Sequence, residues 1–153
     1  MLNPTSTDAV GAALLAAFRH NFQMYKSLAD RALAQLSAAE WLHQPAPGSN
    51  SAAVIVQHLV GNLRSRFTDF LTSDGEKPTR QRDQEFEEPT TPAAVSALHR
   101  DWEAAWRILF DLLDALQPSD LLRTITIRGE AFQSLSIPRG QSQEFNHQMA
   151  VRS

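Results

Sequence analysis

The sequence predicts an all-α protein, a helical bundle made of one domain. Three long segments carry apolar residues at the three- and four-residue spacing of a helix, and stretches rich in proline, glycine or charge separate them. The 153 residues suffice for one buried core, and 42% hydrophobic with 20% charged residues is typical of globular proteins. We place the domain at residues 1–137 and a polar C-terminal tail at residues 138–153.

The first helix is predicted to begin near Thr7 or Asp8, because either side chain can accept hydrogen bonds from the free amides of a first turn. Its apolar positions are Leu14, Leu15, Phe18, Phe22, Tyr25, Leu28 and Leu36. Ser37 and Glu40 then have the spacing of a capping box, which predicts a short helix before the Pro-rich residues 45–48.

The second long helix is predicted over residues 52–71, with Ser51 as its N-cap and Asp-Gly at residues 74–75 as its stop. A long charged loop follows, since the chain there has no apolar period. Thr91 and Pro92 mark the start of the third long helix. Its core positions are Val95, Leu98, Trp102, Trp106, Leu109, Leu113 and Leu116, and this spacing favours core packing of both tryptophans over an aromatic wall for a ligand.

Beyond the third helix, residues 123–128 alternate with the period of a strand. On local rules, Gly129 and Glu130 can turn this strand back toward residues 132–137 as a small hairpin.

Composition argues against several classes of function. A net charge of −3 and a pI near 5.9 argue against nucleic acid as a partner. The absence of cysteine excludes disulfides and thiolate chemistry, and fits a reducing compartment. No run approaches the apolar length of a membrane span, and the N-terminal residues do not look like a signal peptide, so we expect a cytoplasmic protein without a membrane partner.

Four polar residues of the second long helix, His58, Asn62, Ser65 and Asp69, are predicted to lie on one line beside its apolar side. His58 is the candidate metal ligand, since imidazole binds divalent metals and a bundle interior brings ligands from different helices together. Asn62 could then orient the imidazole or a metal-bound water. The alternative is a histidine hydrogen-bonded at the edge of the core, with Asn62 and Asp69 merely satisfying neighbouring polar groups.

The loop after this helix mixes charges of both signs, which favours ion pairs packed on the bundle over an anion site. The charged residues in question are Arg64, Arg66, Asp69, Asp74, Glu76, Lys77, Arg80, Arg82, Asp83, Glu85 and Glu87.

Several motifs occur along the chain: Asn-Ser at residues 50–51, His-Leu-Val-Gly-Asn at 58–62, Thr-Asp-Phe-Leu-Thr-Ser-Asp-Gly-Glu-Lys at 68–77, and further segments at 80–86, 127–130 and 136–146. With these motifs the chain resembles the DinB-like superfamily of bacterial proteins, in particular a branch of uncharacterised members. The resemblance implies a four-helix bundle, often dimeric. It also implies that the histidine at position 58 and two histidines of the last helix hold a divalent metal such as zinc or nickel, and that residues 123–128 form an extended link into that helix.

The chain departs from this pattern between Gln133 and Ser134. Relatives carry there a helix with His-x-x-Tyr-His-x-Gly-Gln, so two of the three expected ligands are missing and the last helix is deleted or not shown. His20, His43, His99 and His147 do not replace them, because none has a second histidine three or four residues away. We therefore expect no metal on the chain as written, unless His20 or His99 approaches His58 across the bundle or a second subunit contributes.

A bundle that lacks one helix leaves an apolar trough, and water against it costs about 25 cal/mol per Å². We expect a homodimer to cover the trough and to bury parts of Phe18, Phe22, Leu109 and Leu113.

Two functions follow. The first is a divalent-metal enzyme of the hydrolase or thiol-transferase class in full-length form. His58 would be a ligand, and Asn62 would orient the imidazole or a metal-bound water. The second is a metal-free bundle that acts as a structural or interaction module.

Overall fold

The computed structural model describes residues 4–136 and confirms an all-α bundle with one small sheet. Its helices are α1 (Pro4–Ala34), α2 (Ala38–Leu42), α3 (Ala52–Phe67) and α4 (Pro92–Ala115). Short 3₁₀ helices span Arg82–Phe86 and Pro118–Leu122, and the strands are β1 (Thr124–Ile127) and β2 (Glu130–Gln133). The predicted tail at residues 138–153 lies outside the described residues.

Contacts between α1 and α4 show that the two helices are antiparallel. Lys26 of α1 pairs with Glu103 in the first half of α4, with 3.0 Å between Nζ and Oε1. Arg19, which lies earlier in α1, pairs with Asp114 at the end of α4, with 3.3 Å between Nη1 and Oδ1. Residue numbers fall along α1 as they rise along α4, so the chain directions are opposite.

The segment at residues 68–91, called the crossover below, runs back along α3. Near the end of α3, the hydroxyl of Ser65 donates to the carbonyl oxygen of Gly75 (3.0 Å). At the start of α3, the hydroxyl of Ser51 donates to Oε2 of Glu88 (2.5 Å). The crossover therefore returns the chain to the first end of α3. Arg64, in the last turn of α3, pairs with Asp101 well inside α4, so α4 runs in the same direction as α3.

The start of α1 and the short α2 follow from local capping chemistry. Pro4 opens α1, a position where its missing N–H is not needed, so the helix begins a few residues earlier than predicted. The predicted capping box is confirmed: Ser37 Oγ accepts from the amide of Glu40 (3.2 Å), and Glu40 Oε2 accepts from the amide of Ser37 (2.7 Å).

Helix α3 ends at Phe67, four residues before the predicted end at residue 71. Asp69 has φ of 47°, the left-handed conformation that terminates a helix. Its carbonyl oxygen accepts from the amides of Thr72 (3.1 Å) and Ser73 (2.9 Å), which closes a turn. Phe70, just beyond the helix, is buried, so the turn keeps this aromatic side chain in the core while the helix stops.

The core lies between α1, α3 and α4 and confirms the core assignment of both tryptophans. Trp102 and Trp106 are buried, with ring centroids 5.5 Å apart in edge-to-face geometry. The indole N–H of Trp102 donates to Oδ1 of Asp30 on α1 (2.7 Å), which satisfies its polar atom. Phe22 of α1 meets the Trp106 ring edge-on at 6.2 Å.

The predicted choice of dimer contacts was wrong. Phe22, Leu109 and Leu113 are buried within the chain itself, and Phe18 is half-buried against the same core. The sequence suggested an open trough at these positions, whereas the chain closes its own core there, and Ile125 of the sheet joins the same apolar cluster.

The hairpin indicated by local alternation is present, with β1 and β2 antiparallel and Ile127 opposite Glu130. Its turn lies one residue before the predicted Gly129 and Glu130, and β2 begins at Glu130, two residues before the predicted return strand. Arg128 (φ 53°) and Gly129 (φ 78°) form its two-residue turn, and such left-handed pairs match the twist of a hairpin. Asp74 of the crossover holds this turn. Its Oδ1 accepts from the amide of Arg128 (2.8 Å) and its Oδ2 from the amide of Gly129 (2.9 Å).

Within residues 4–136, no helix combines the length and the apolar character needed to cross a membrane.

The Asp74 carboxylate should make stability depend on acid pH. Hydrogen bonds from the amides of Gly129, Glu76 and Arg128 lower the pKa of Asp74 from 3.8 to about 2. Because the folded pKa lies below the unfolded value, the stabilisation is present above about pH 4 and is lost as the pH falls through about 2. Asp74→Asn should therefore unfold at lower urea concentration than wild type at neutral pH, and the difference should shrink as the pH approaches 2.

Asp111→Asn is the matched control, since Asp111 is an exposed carboxylate of α4. It should leave the urea midpoint unchanged at each pH. A pH-independent difference between Asp74→Asn and wild type would contradict the assignment.

Candidate functional site

The predicted polar line on α3 is buried beneath the crossover. His58, Asn62 and Ser65 are all nearly inaccessible to solvent. Asp69, the fourth predicted member, lies beyond the end of α3 and is exposed. The line therefore faces a covering segment of the same chain.

Two residues of the crossover hold the His58 ring. Nδ1 of His58 lies 3.2 Å from Oε2 of Glu85, and both side chains are less than a tenth exposed. The ring also packs on Phe86, with centroids 4.9 Å apart and planes inclined by 32°. A carboxylate can only accept here, so the contact requires a proton on Nδ1, and the neutral tautomer then has its lone pair on Nε2.

Arg80 binds the same carboxylate with both arms of its guanidinium. Nε donates to Oε1 of Glu85 (2.7 Å) and Nη2 to Oε2 (2.9 Å), a bidentate pair. Nη1 lies 3.3 Å from Oε2 of Glu76. Burial alone would lower the pKa of Arg80, but the hydrogen bonds and charges of Glu85 and Glu76 outweigh it and raise that pKa. The Arg80 side chain is 6% exposed, so this is a buried ion pair.

Gly61 makes room for this network on the surface of α3. A Cβ at position 61 would overlap Oε1 of Glu85 and lie 2.5 Å from its Cδ. Glycine is unfavourable inside a helix by roughly 0.5–1 kcal/mol relative to alanine. Here its lack of a side chain lets the Glu85 carboxylate lie against the helix.

The side chain of Gln57 adds hydrogen bonds between α3 and the crossover nearer the start of the helix. The Gln57 side-chain amide donates to the carbonyl oxygens of Gln84 (3.0 Å), Glu85 (2.9 Å) and Glu87 (3.0 Å). The crossover is thus hydrogen-bonded to α3 from its first turn to its last.

The prediction of ion pairs packed on the bundle is confirmed, whereas the contact between His58 and Glu85 was missed. Sequence spacing could not reveal it, because the two residues are 27 positions apart, one on α3 and the other in the crossover.

Asn62 lies one turn beyond His58, but Glu85 makes the hydrogen bond to the imidazole that was proposed for Asn62. Oδ1 of Asn62 is buried and accepts no hydrogen bond from any residue in the described part of the chain. A role for Asn62 beside a metal or water therefore stays a prediction.

The other histidines do not join His58 among the residues described. His20 is exposed on α1, His43 is the exposed C-cap of α2, and His99 packs against Trp41 with centroids 4.4 Å apart. His147 lies outside the described range. Over residues 4–136, no three His, Cys, Asp or Glu side chains are close enough to hold a metal ion. Glu85, the carboxylate nearest His58, has both oxygens bound by Arg80, so this donor set does not fit a metal by itself.

A cleft of about 450 Å³ opens between α3 and the crossover beside this network. Its cations are engaged within the protein. Nζ of Lys77 donates to the carbonyl oxygens of Ser65 (2.8 Å) and Asp74 (2.5 Å), and burial lowers the pKa of Lys77. Arg64 pairs with Asp101, with 2.8 Å between Nη2 and Oδ1. The cleft therefore offers no concentration of unpaired positive charge for an anion.

Comparison with known proteins gives one match. The model of a family described as "Protein of unknown function (DUF1572)" matches residues 9–148. No curated protein and no solved structure matches the chain.

Gly61→Ala should destabilise the protein although alanine is the better helix former. The new methyl group would press on the Glu85 carboxylate, and overpacking of this kind costs about 1–3 kcal/mol, more than the gain in helix propensity. Urea unfolding followed by circular dichroism measures the change.

The same substitution in a Glu85→Ala background is the control. With the carboxylate gone the overlap disappears, and Gly61→Ala should be neutral or stabilising relative to Glu85→Ala alone. Equal destabilisation in both backgrounds would show that Gly61 serves some purpose other than admitting Glu85.

Proposed function

Because the chain belongs to the DUF1572 family of proteins of unknown function, we propose its function from its own geometry: a metal-free, DinB-like helical bundle that acts as an interaction module. The observation that carries this proposal is the exposed side of α1 between Ala9 and Leu28, called the α1 face below.

Apart from Arg19, whose side chain is 37% exposed, no exposed residue of the α1 face carries a fixed charge. The two charged residues in this interval, Arg19 and Lys26, reach Asp114 and Glu103 of α4. The exposed residues are Ala9, Val10, Ala12, Ala13, Leu14, Ala16, Ala17, His20, Asn21, Gln23, Met24, Ser27 and Leu28. Surfaces of small soluble domains are usually about a quarter to a third charged, so a helix face of this length with so little charge is typical of a surface that binds another protein.

The buried network supports a structural role for His58. Its Nδ1 contact with Glu85 and the clamp of Arg80 on Glu85 attach the crossover to α3. Attaching the crossover is a sufficient reason for a buried histidine at this position. The described donor set, one imidazole beside a carboxylate already bound by arginine, favours this role over a metal site.

One observation favours a second candidate, a divalent-metal protein of the hydrolase or thiol-transferase class. Histidines that bind metals commonly donate their other ring N–H to a carboxylate, as the Nδ1 contact with Glu85 would allow. Nε2 of His58 would then be the ligand atom, Asn62 would lie behind it, and the remaining ligands would have to come from outside residues 4–136.

Metal binding separates the two candidates. After incubation with excess zinc or nickel and removal of free ion, wild type and His58→Ala should retain the same low, sub-stoichiometric metal by elemental analysis. His58→Ala should also unfold more easily, by about 1–3 kcal/mol, because Glu85 loses a buried partner.

His20→Ala, which alters an exposed histidine of α1, should change neither quantity. One equivalent of metal on wild type and His20→Ala, absent from His58→Ala, would overturn the metal-free proposal and establish the second candidate.

A further inference from the structure

Lys77 is fixed beside the cleft of about 450 Å³ that lies between α3 and the crossover, and it is one of the residues that line this cleft. Its backbone amide donates to Oγ of Ser65 (2.9 Å). Its Nζ donates to the carbonyl oxygens of Ser65 (2.8 Å) and Asp74 (2.5 Å). The residue is therefore held at both ends, and its nitrogen stays beside the cleft instead of extending into solvent.

The two carbonyl acceptors suit an uncharged amine. An ammonium group has three N–H bonds, whereas the neutral amine has two N–H bonds and one lone pair. Ser65 and Asp74 accept two N–H bonds, and Nζ has no third acceptor among residues 4–136. When both N–H bonds of the neutral form point to the carbonyls, the tetrahedral geometry of nitrogen directs the lone pair away from them.

The surroundings of Lys77 also favour the uncharged form. Burial and the positive charge of Arg66 lower the pKa of Lys77, and together they outweigh the opposite effects of Asp69 and Asp74. Desolvation, or a second cation nearby, is the usual means by which a lysine becomes a nucleophile near neutral pH. The nitrogen thus has both the position and the electrostatic environment of a reactive amine.

Lys26 is the other lysine of the chain, and its environment is the opposite. Its Nζ pairs with carboxylate oxygens of Asp30 (2.7 Å) and Glu103 (3.0 Å). Burial alone would lower the pKa of Lys26, but the hydrogen bonds and charges of these two carboxylates outweigh burial and raise that pKa. The chain therefore contains its own comparison, since one partly buried lysine is held as an ammonium by carboxylates and the other is not.

We propose that Lys77 is a nucleophilic amine that forms an imine with a small aldehyde bound in the cleft. The nitrogen lone pair attacks the carbonyl carbon, a C–N bond forms, and the π electrons of the C=O bond move to oxygen. Nitrogen loses a proton and oxygen gains one, which gives a carbinolamine. The hydroxyl group then takes up a second proton and leaves as water, while the nitrogen lone pair forms the C=N bond. The resulting iminium keeps one N–H for a carbonyl acceptor.

The lining of the cleft favours an uncharged, hydroxyl-bearing aldehyde. Arg64 and Arg80 are already paired with carboxylates of the protein, so a phosphate or carboxylate group on the ligand would find little free positive charge. Thr68 and Thr79 are exposed residues of the lining, and their hydroxyls can exchange hydrogen bonds with a hydroxyl group of the ligand. Glycolaldehyde has this chemistry and is small enough to serve as a probe.

Reductive trapping tests the site on the full chain. Glycolaldehyde is added at neutral pH with sodium cyanoborohydride, which transfers hydride to the imine carbon and leaves a stable secondary amine. Peptide mapping by mass spectrometry then follows the adduct on each lysine. Lys77 should be labelled at least about tenfold faster than Lys26, because each pKa unit between two amines changes the fraction of free amine about tenfold. The rate at Lys77 should saturate with aldehyde concentration, since the aldehyde binds before it reacts, and the rate at Lys26 should rise linearly.

Thr79→Trp tests whether the cleft itself is needed. The large side chain should occupy the cleft without removing a contact of Nζ, so labelling of Lys77 should slow several-fold while labelling of Lys26 is unchanged. Thr90→Trp is the matched control, since Thr90 is an exposed threonine of the crossover that does not line this cleft. It should leave both rates unchanged, and circular dichroism should show both variants folded.

Three results would overturn the proposal. They are labelling of Lys26 as fast as that of Lys77, a rate at Lys77 that rises linearly with aldehyde concentration, and equal labelling of Lys77 in folded Thr79→Trp and Thr90→Trp. None of them bears on the interaction proposal, because the residues that line the cleft belong to α3 and the crossover and not to the α1 face.

Discussion

The bidentate ion pair between Arg80 and Glu85 is the interaction on which the arrangement of this protein depends. It fixes a carboxylate beneath the surface of the crossover, and that carboxylate in turn contacts the imidazole of His58 on α3. Buried ion pairs offset their large desolvation penalty only when geometry and hydrogen bonding are good, and removal of one partner typically costs about 3–5 kcal/mol. Here the paired Glu85 also contacts His58, which joins the crossover to α3. With the crossover fixed in this register, α4 begins beside the first turn of α3 and runs in the same direction.

This arrangement decides which surfaces of the bundle are available. The polar line of α3 is covered by the crossover, and the apolar side of α4 is closed against α1 and α3. The hairpin is held to the crossover by Asp74 and adds Ile125 to the core. Helix α1 therefore retains the long apolar surface, because it contacts the remaining elements on one side only. A search for partners of this protein should begin at α1.

Whether His58 acts as a metal ligand or as a structural residue depends on which groups bind its neighbour, Glu85. A carboxylate on Nδ1 is the usual orienting group behind a metal-binding histidine, and it is equally a way to satisfy a buried imidazole. The contact of Arg80 with Glu85 favours the structural role. A carboxylate paired with a guanidinium stabilises a metal-bound imidazole less, because its negative charge is already neutralised. The match to a family of unknown function supplies no chemistry that would shift this balance.

Much of the fold could be predicted from particular residues. Ser37 with Glu40, Ser51 and Thr91 cap the helices at the predicted starts, because capping depends on side chains within three residues of one another. The alternation before Gly129 predicted the hairpin for the same reason. Helix α3 ends four residues before the predicted end. The left-handed turn at Asp69 that stops it is closed by hydrogen bonds from the amides of Thr72 and Ser73, which helical spacing does not reveal.

The sequence by itself determined the helices, their caps, the apolar side of each helix, and a polar line on α3 that contains His58, Asn62 and Ser65. Spacing of three and four residues carries that information, and it is local. Only the tertiary structure decided that Glu85 contacts His58, that Gly61 must be small, that Leu109 and Leu113 are closed inside the chain, and that Leu14 and Leu28 are left at the surface. The first two of these outcomes depend on how an irregular segment of 24 residues, 68–91, lies across α3. No local periodicity encodes that register, because it is set by contacts of His58, Gln57 and Ser65 on α3 with groups of a non-repetitive backbone segment.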